Sequence, residues 1–195
     1  MNLANKVTSL RILLVPFFIF FMSYDEFFMR TISLLVFIIA SLTDTIDGYL
    51  ARKYKMVSNF GKFIDPLADK LLVLAAFILF VEIKELNIPS WMIIAIISRE
   101  FIITGLRTLA AAKNIIISAA LSGKVKTTIQ MTTIIAILVI LCLKSLFKEF
   151  FKIDPHTIFI LELTPFALMF ITTILTLTSG LSYVFKHRYL FLKNE

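Results

Sequence analysis

One cysteine occurs in 195 residues. Cys142 lies inside an apolar run, so an intrachain disulfide framework is excluded and the residue reads as a small buried hydrophobe. Histidine is almost as scarce. His156 falls in an expected outer loop, and His187 follows the last apolar segment between Lys186 and Arg188. Both read as surface residues, and no metal site here rests on imidazole. No internal repeat or low-complexity tract stands out. The length leaves no room for a second domain, so residues 1–195 read as one. The apolar run 12–22 follows Lys6 and Arg11 as in a signal peptide. No small-residue cleavage site follows it, and it is read as an uncleaved first helix.

What the chain has in excess is apolar side chain: 59% of residues are hydrophobic and the mean hydropathy is +0.92. No soluble domain of this size needs so much, so the bilayer is the expected solvent. Apolar segments cover about 7–24, 30–53, 62–83, 89–112, 119–146 and 157–185, with short polar breaks between them. The expected fold is an all-α integral membrane protein, a six-transmembrane-helix bundle. The formal charge of +7 reads as an orientation signal, and no nucleic-acid partner is expected. With the N-terminus in the cytoplasm, only Arg30, Lys84, Lys144, Lys148 and Lys152 fall outside. All other lysines and arginines fall inside, which favours both termini cytoplasmic. Trp91, near the start of the fourth segment, fits an interfacial belt. Glu162, inside the sixth, has no functional account at this level.

Four aspartates sit where these segments should be greasy. Asp44 and Asp47 are three apart and share a helix face, and Asp65 and Asp69, four apart, share another. Each carboxylate near a bilayer centre costs about 2.5–3.5 kcal/mol on insertion scales. Four of them converging without a cation would repel. With Mg²⁺ or Mn²⁺ they become oxygen ligands, and a pair of ions can clamp a phosphate. Gly48, Gly61 and Ala51 leave room for a nucleotide near the backbone, and Arg52 offers a forked donor to phosphate oxygens. Pro66 is expected to loosen the start of its helix. The hairpin opens to the cytoplasm, where nucleotides and divalent cations are found.

Read together, these residues form Asp-x2-Asp-Gly-x2-Ala-Arg-x8-Gly-x3-Asp-x3-Asp. The pattern resembles the signature of the CDP-alcohol phosphotransferases at every fixed position. The resemblance extends over the whole chain. It implies that a CDP-linked alcohol gives its phosphoryl-alcohol group to an acceptor hydroxyl and that CMP leaves. It makes Asp44, Asp47, Asp65 and Asp69 metal ligands, with Asp69 also the general base. Gly48, Ala51, Arg52 and Gly61 then hold the cytidine diphosphate. Asn5, Thr8 and Arg11 resemble a further element that often precedes this site, and their other reading is a helix cap and a positive-inside anchor. A homodimer is implied by the same resemblance.

The signature does not choose the acceptor. Arg99 and Arg107 lie eight apart on roughly one face of the fourth segment, and Lys124 and Lys126 open the fifth. Together they suit an acceptor that itself carries a phosphate. Arg-Glu-Phe-x2-Thr-Gly-Leu-Arg and Gly-Lys-x-Lys-Thr resemble bacterial members of the family that take sn-glycerol 3-phosphate. The implied donor is CDP-diacylglycerol, with its tails entering laterally among membrane lipids. The implied location is the bacterial cell (inner) membrane, multi-pass, with the active site facing the cytoplasm. Two readings stay open: a cardiolipin synthase with phosphatidylglycerol as acceptor, and a divalent-cation transporter using the aspartates as its transport site.

Overall fold

A computed structural model describes the backbone of residues 3–54, 59–113, 121–150 and 155–188. Side chains are described over 9–43, 70–113, 126–150, 157 and 159–188. Among the described residues all regular structure is helical: α1 Leu3–Met22, α2 Phe27–Tyr54, α3 Asn59–Glu82, a short 3-10 turn Lys84–Leu86, α4 Ser90–Ala112, α5 Leu121–Phe150 and α6 Pro155–Lys186. Each apolar segment has become one helix. Two differences stand out. α3 starts at Asn59, so Pro66 lies inside the helix rather than at its start. α5 runs on through Lys144 and Lys148 to Phe150, where a polar break was expected. It continues because both lysines find carboxylates, as shown below.

α1 packs along both α2 and α3, α2 on α5, and α4 and α5 on α6. The core is large and aromatic. Phe18, Phe37, Phe77 and Phe80 are fully buried beside Met92, Ile134, Ile137 and Leu141. The rings of Phe18 and Phe37 lie 5.6 Å apart and tilted, which joins α1 to α2. A smaller cluster of Ile103, Leu106 and Tyr183 closes the far end of the α4–α6 seam. Along the α5–α6 seam the buried polar groups pair with one another or with their own helix. Thr133 and Thr172 share a hydrogen bond of 2.7 Å, and Thr173 donates to the Met169 carbonyl at 2.7 Å. That is the arrangement an apolar interior demands of buried hydroxyls.

The outer surface is as greasy as the core. Leu13, Phe20, Leu35, Ile39, Ile78, Ile94, Phe101 and Ile171 are all more than half exposed. The stretches Lys126–Phe150 and Phe159–Lys186 are long and apolar enough to cross a membrane. Trp91 is half exposed and meets Phe170 edge-on.

One end of the bundle is tied by charge. Arg30, only 4% exposed, donates to the Leu141 carbonyl at 3.3 Å and to Ser145 Oγ at 2.8 Å. It pairs with Asp25 and lies 3.7 Å from Glu85. Lys148 reaches Asp25 at 2.8 Å. Lys144 reaches Glu85 at 3.6 Å and Glu162 at 4.0 Å. Glu162 thus acquires an account: it is half exposed and completes this network. The cluster gathers the start of α2, the turn after α3, the end of α5 and the start of α6. Three of the cations assigned to the outside are therefore together at one end, and consecutive helices run up and down. Asn87 takes the left-handed conformation (φ 51°) that turns the chain from this cluster into α4, and asparagine adopts that region more readily than most residues.

Partial burial raises the Asp25 carboxyl's pKa, but the Lys148 hydrogen bond and the charges of Arg30 and Lys148 outweigh it. The net effect holds Asp25 below the usual carboxylate range. A group depressed on folding adds stability that is present above its unfolded pKa of about 3.9 and lost as pH falls through the lower folded value. Detergent-solubilised protein should therefore lose thermal stability on acidification below about pH 4, and Asp25→Asn should flatten that part of the profile. Arg30→Ala leaves Asp25 to Lys148 and Glu85 to Lys144 but removes the buried charged donor that ties α2 to Leu141 and Ser145 of α5, and it should cost about 1.5–3 kcal/mol in unfolding measurements at neutral pH.

Candidate active site

The four aspartates of the signature lie on two consecutive helices. Asp44 and Asp47 are in the last half of α2, and Asp65 and Asp69 in the first half of α3. Gly48, Ala51 and Arg52 follow on α2, and Gly61 precedes on α3. α1, which carries Asn5, Thr8 and Arg11, packs against both of these helices. Arg11 is buried. The side chains of the four aspartates, and those of Asn5, Thr8, Ala51, Arg52 and Lys124, lie outside the described residues. So do the surroundings of Gly48 and Gly61. Among the described residues no group of three His, Cys, Asp or Glu side chains could hold a metal ion.

Lys70, one residue after Asp69 in sequence, lines a pocket. Lys70, Val73 and Phe77 of α3 line it with Ile96, Glu100 and Phe101 of α4 and Lys126, Thr127 and Gln130 of α5. Lys70 donates to Thr104 Oγ1 across the α3–α4 gap. The wall is two-faced. Valine, leucine, isoleucine and phenylalanine make up one part of the lining, while two ammonium groups, a carboxylate, a hydroxyl and an amide make up the rest.

Glu100 organises the charged part. Its Oε1 accepts from Arg99 Nη1 at 3.2 Å and also from Lys126 Nζ. Arg99 and Lys126 are nearly buried, at 9% and 7% exposed, and Glu100 is mostly buried. Two cations left alone so deep would carry a heavy desolvation cost, and the shared carboxylate offsets it. Gln130 sits one helical turn beyond Lys126. It is buried, and its Nε2 has no hydrogen-bond partner among the described residues.

The two arginines of α4 do lean the same way, toward α6. Arg99 Nη2 donates to Ser179 Oγ at 3.3 Å. Arg107 Nε donates to Tyr183 Oη at 3.3 Å, and its guanidinium lies 5.6 Å from that ring's centre. Tyr183 in turn packs on His187, ring centres 4.4 Å apart. Arg99 and Lys126 are thus brought together on one carboxylate. Arg107 stands two turns along α4, exposed, on a tyrosine rather than on the pocket wall.

Several of these partners escaped sequence reasoning. Lys70 counted there as an inside charge and as the last residue of the stretch Asp65-Pro66-Leu67-Ala68-Asp69-Lys70, without a role of its own. Gln130 had a weak signal, a polar residue four after Lys126 in an apolar run. Ser179 and Tyr183 had none, because their partners lie some eighty residues away.

Comparison with known proteins converges on the same reading. The family model for CDP-alcohol phosphatidyltransferase matches residues 1–178. A protein of Bacillus subtilis (strain 168) named CDP-diacylglycerol–glycerol-3-phosphate 3-phosphatidyltransferase is 46% identical over 149 residues, covering 70% of this chain and 76% of its own. Proteins of the same name from Rickettsia felis and Haemophilus influenzae are each 35% identical. The first covers 93% of both chains, and the second 94% of this chain and 91% of its own.

The Glu100 cluster makes a prediction independent of any substrate. Lys126→Met should lower the unfolding temperature, because Glu100 loses one of its two counter-charges. Adding Glu100→Gln to that variant should recover part of the loss. A double-mutant cycle on thermal unfolding should give a coupling of about 0.5–3 kcal/mol.

Proposed function

The chain belongs to the CDP-alcohol phosphatidyltransferase family, and we propose that it moves the phosphatidyl group of CDP-diacylglycerol to sn-glycerol 3-phosphate. The products are phosphatidylglycerol phosphate and CMP. The observation that carries the acceptor choice is the pocket of Lys70, Glu100 and Lys126, which begins one residue from Asp69. A phosphate held there by cations leaves the rest of a short acceptor within reach of the aspartate helices. The relatives' printed names support the same pair of substrates. The transporter reading gives Arg52 and the glycines no role, and the family assignment displaces it.

In the proposed reaction Asp69 accepts the proton of the acceptor's primary hydroxyl. That oxygen forms a bond to the β-phosphorus of the donor. The bond from that phosphorus to the bridging oxygen breaks, and its electron pair leaves with CMP. Gly48, Ala51, Arg52 and Gly61 hold the cytidine diphosphate, with Asn5 and Thr8 of α1 beside them. Arg99, Lys124 and Lys126 bind the acceptor phosphate, and Arg107, which stands on Tyr183 away from the pocket wall, adds positive charge at the same end. A carboxylate of ordinary pKa is a weak base, so positioning and fixed charge do most of the work. Four carboxylates on neighbouring helices are the oxygen-donor set that suits Mg²⁺ or Mn²⁺, and Asp44, Asp47, Asp65 and Asp69 would hold two such ions. When bound, they supply neutralisation of charge on the diphosphate.

The same proposal includes the setting. Six spans with both termini cytoplasmic fit the greasy outer surface and the separation of Arg30, Lys144 and Lys148 from Lys70, Arg99 and Lys126. The pocket then faces the cytoplasm from the cell membrane, and the protein works as a homodimer.

CMP release from CDP-diacylglycerol, Mg²⁺ and sn-glycerol 3-phosphate tests the function. Release only with phosphatidylglycerol would make the enzyme a cardiolipin synthase. No release with any alcohol would end the transferase reading. Asp69→Asn should keep the fold and nucleotide binding while turnover falls on the order of 10²–10⁴-fold. Substantial remaining activity in that variant would remove Asp69 from the base role.

A further inference from the structure

Gly180 lies in the middle of the last third of α6, where a glycine weakens the helix relative to alanine. It is buried. A Cβ built on it would stand 2.6 Å from Arg99 Cγ, 3.1 Å from Arg99 Nε and 3.4 Å from Arg99 Cδ. The first distance is closer than real carbon atoms approach. The atom in the way is not the mobile tip of the arginine but its stem, near the α4 backbone. The Arg99 side chain therefore lies flat across the α6 backbone in a groove that exists only because residue 180 has no side chain.

The groove settles where the guanidinium goes. With its stem laid over Gly180, Arg99 reaches Ser179 Oγ with one terminal nitrogen and Glu100 with the other. Its Nε stays buried without a hydrogen-bond partner among the described residues. The neighbouring Ser179 adds a second point of support, so two consecutive residues of α6 fix one cation of α4. Gly105, by contrast, faces open space and has no such duty.

We infer that Gly180 is a positioning residue for acceptor recognition: its missing side chain seats Arg99 against Glu100 of the pocket wall, and any larger residue displaces Arg99 from that carboxylate. The inference rests on the reading above in which Arg99 binds the acceptor's phosphate. It extends the site to α6, beyond the last residues of the aspartate signature by more than a hundred positions.

Steady-state CMP release in detergent–CDP-diacylglycerol micelles tests it with Gly180→Ala, Arg99→Ala and the double variant. Losing a charged hydrogen-bond donor typically weakens binding by about tenfold or more. Gly180→Ala should therefore raise KM for sn-glycerol 3-phosphate by about that factor, with kcat and the KM for CDP-diacylglycerol little changed. In the Arg99→Ala background the same substitution should add no further rise in KM, and it should raise Tm because alanine favours the helix. Ser179→Ala should give a smaller rise of the same kind. If Gly180→Ala alone fails to fold, the double variant should recover folding.

Distinct failures have distinct meanings. A raised KM for Arg99→Ala with none for Gly180→Ala overturns the positioning role and leaves the acceptor reading intact. An equal effect of Gly180→Ala with and without Arg99 overturns it too, since the glycine would then serve helix packing alone. Failure of the double variant to fold does the same. An unchanged KM in Arg99→Ala overturns the acceptor reading itself, and the inference with it.

Discussion

Charge that cannot leave an apolar bundle must find its counter-charge inside it, and this constraint shapes both ends of the molecule. At one end Arg30 draws together Asp25, Glu85 and Ser145. At the other Glu100 holds Arg99 and Lys126 on a single oxygen. Between them the interior is phenylalanine, leucine, isoleucine and self-satisfied threonine. Loss of hydrophobic contact would loosen such a bundle gradually. Loss of one charge strands another at low dielectric, which is a sharper penalty. The two ends differ in what they leave over. The Arg30 cluster pairs three cations with three carboxylates. Among the described residues the Glu100 cluster shares one carboxylate between two cations and keeps Lys70 on a hydroxyl.

The fold was largely legible from apolar runs, because a helix needs little more than length and hydropathy to declare itself in such a chain. Six runs became six helices. The misplaced boundaries have physical causes. Lys144 and Lys148 look like a helix end in sequence, yet each has a carboxylate from another element, so α5 continues past them. Pro66 looks like a helix start, yet α3 begins seven residues earlier at Asn59. The aspartate signature was legible because its spacing is local to two consecutive helices. The cationic side was legible only as a set of basic residues. That Arg99 and Lys126 meet on Glu100 depends on the α4–α5 register, and that Arg107 settles on Tyr183 depends on α6. Gly180 carried no signal at all, since its role is defined by a side chain eighty-one positions away.

Helix α6 gains importance from this. It contributes nothing to the aspartate pattern, yet Ser179, Gly180 and Tyr183 set the pose of both arginines on α4. Specificity in such a site can change without any change in the reacting residues. A substitution on α6 re-aims a cation on α4, and the family signature stays intact.

Phe101 lines the pocket beside Glu100 and is two-thirds exposed on the bundle's flank. A cavity lined by both an exposed aromatic ring and ammonium groups presents two surfaces of opposite character. In the proposed bilayer setting one faces hydrocarbon and the other water. A greasy partner and a water-soluble one can then arrive from different phases, each along the route it already prefers.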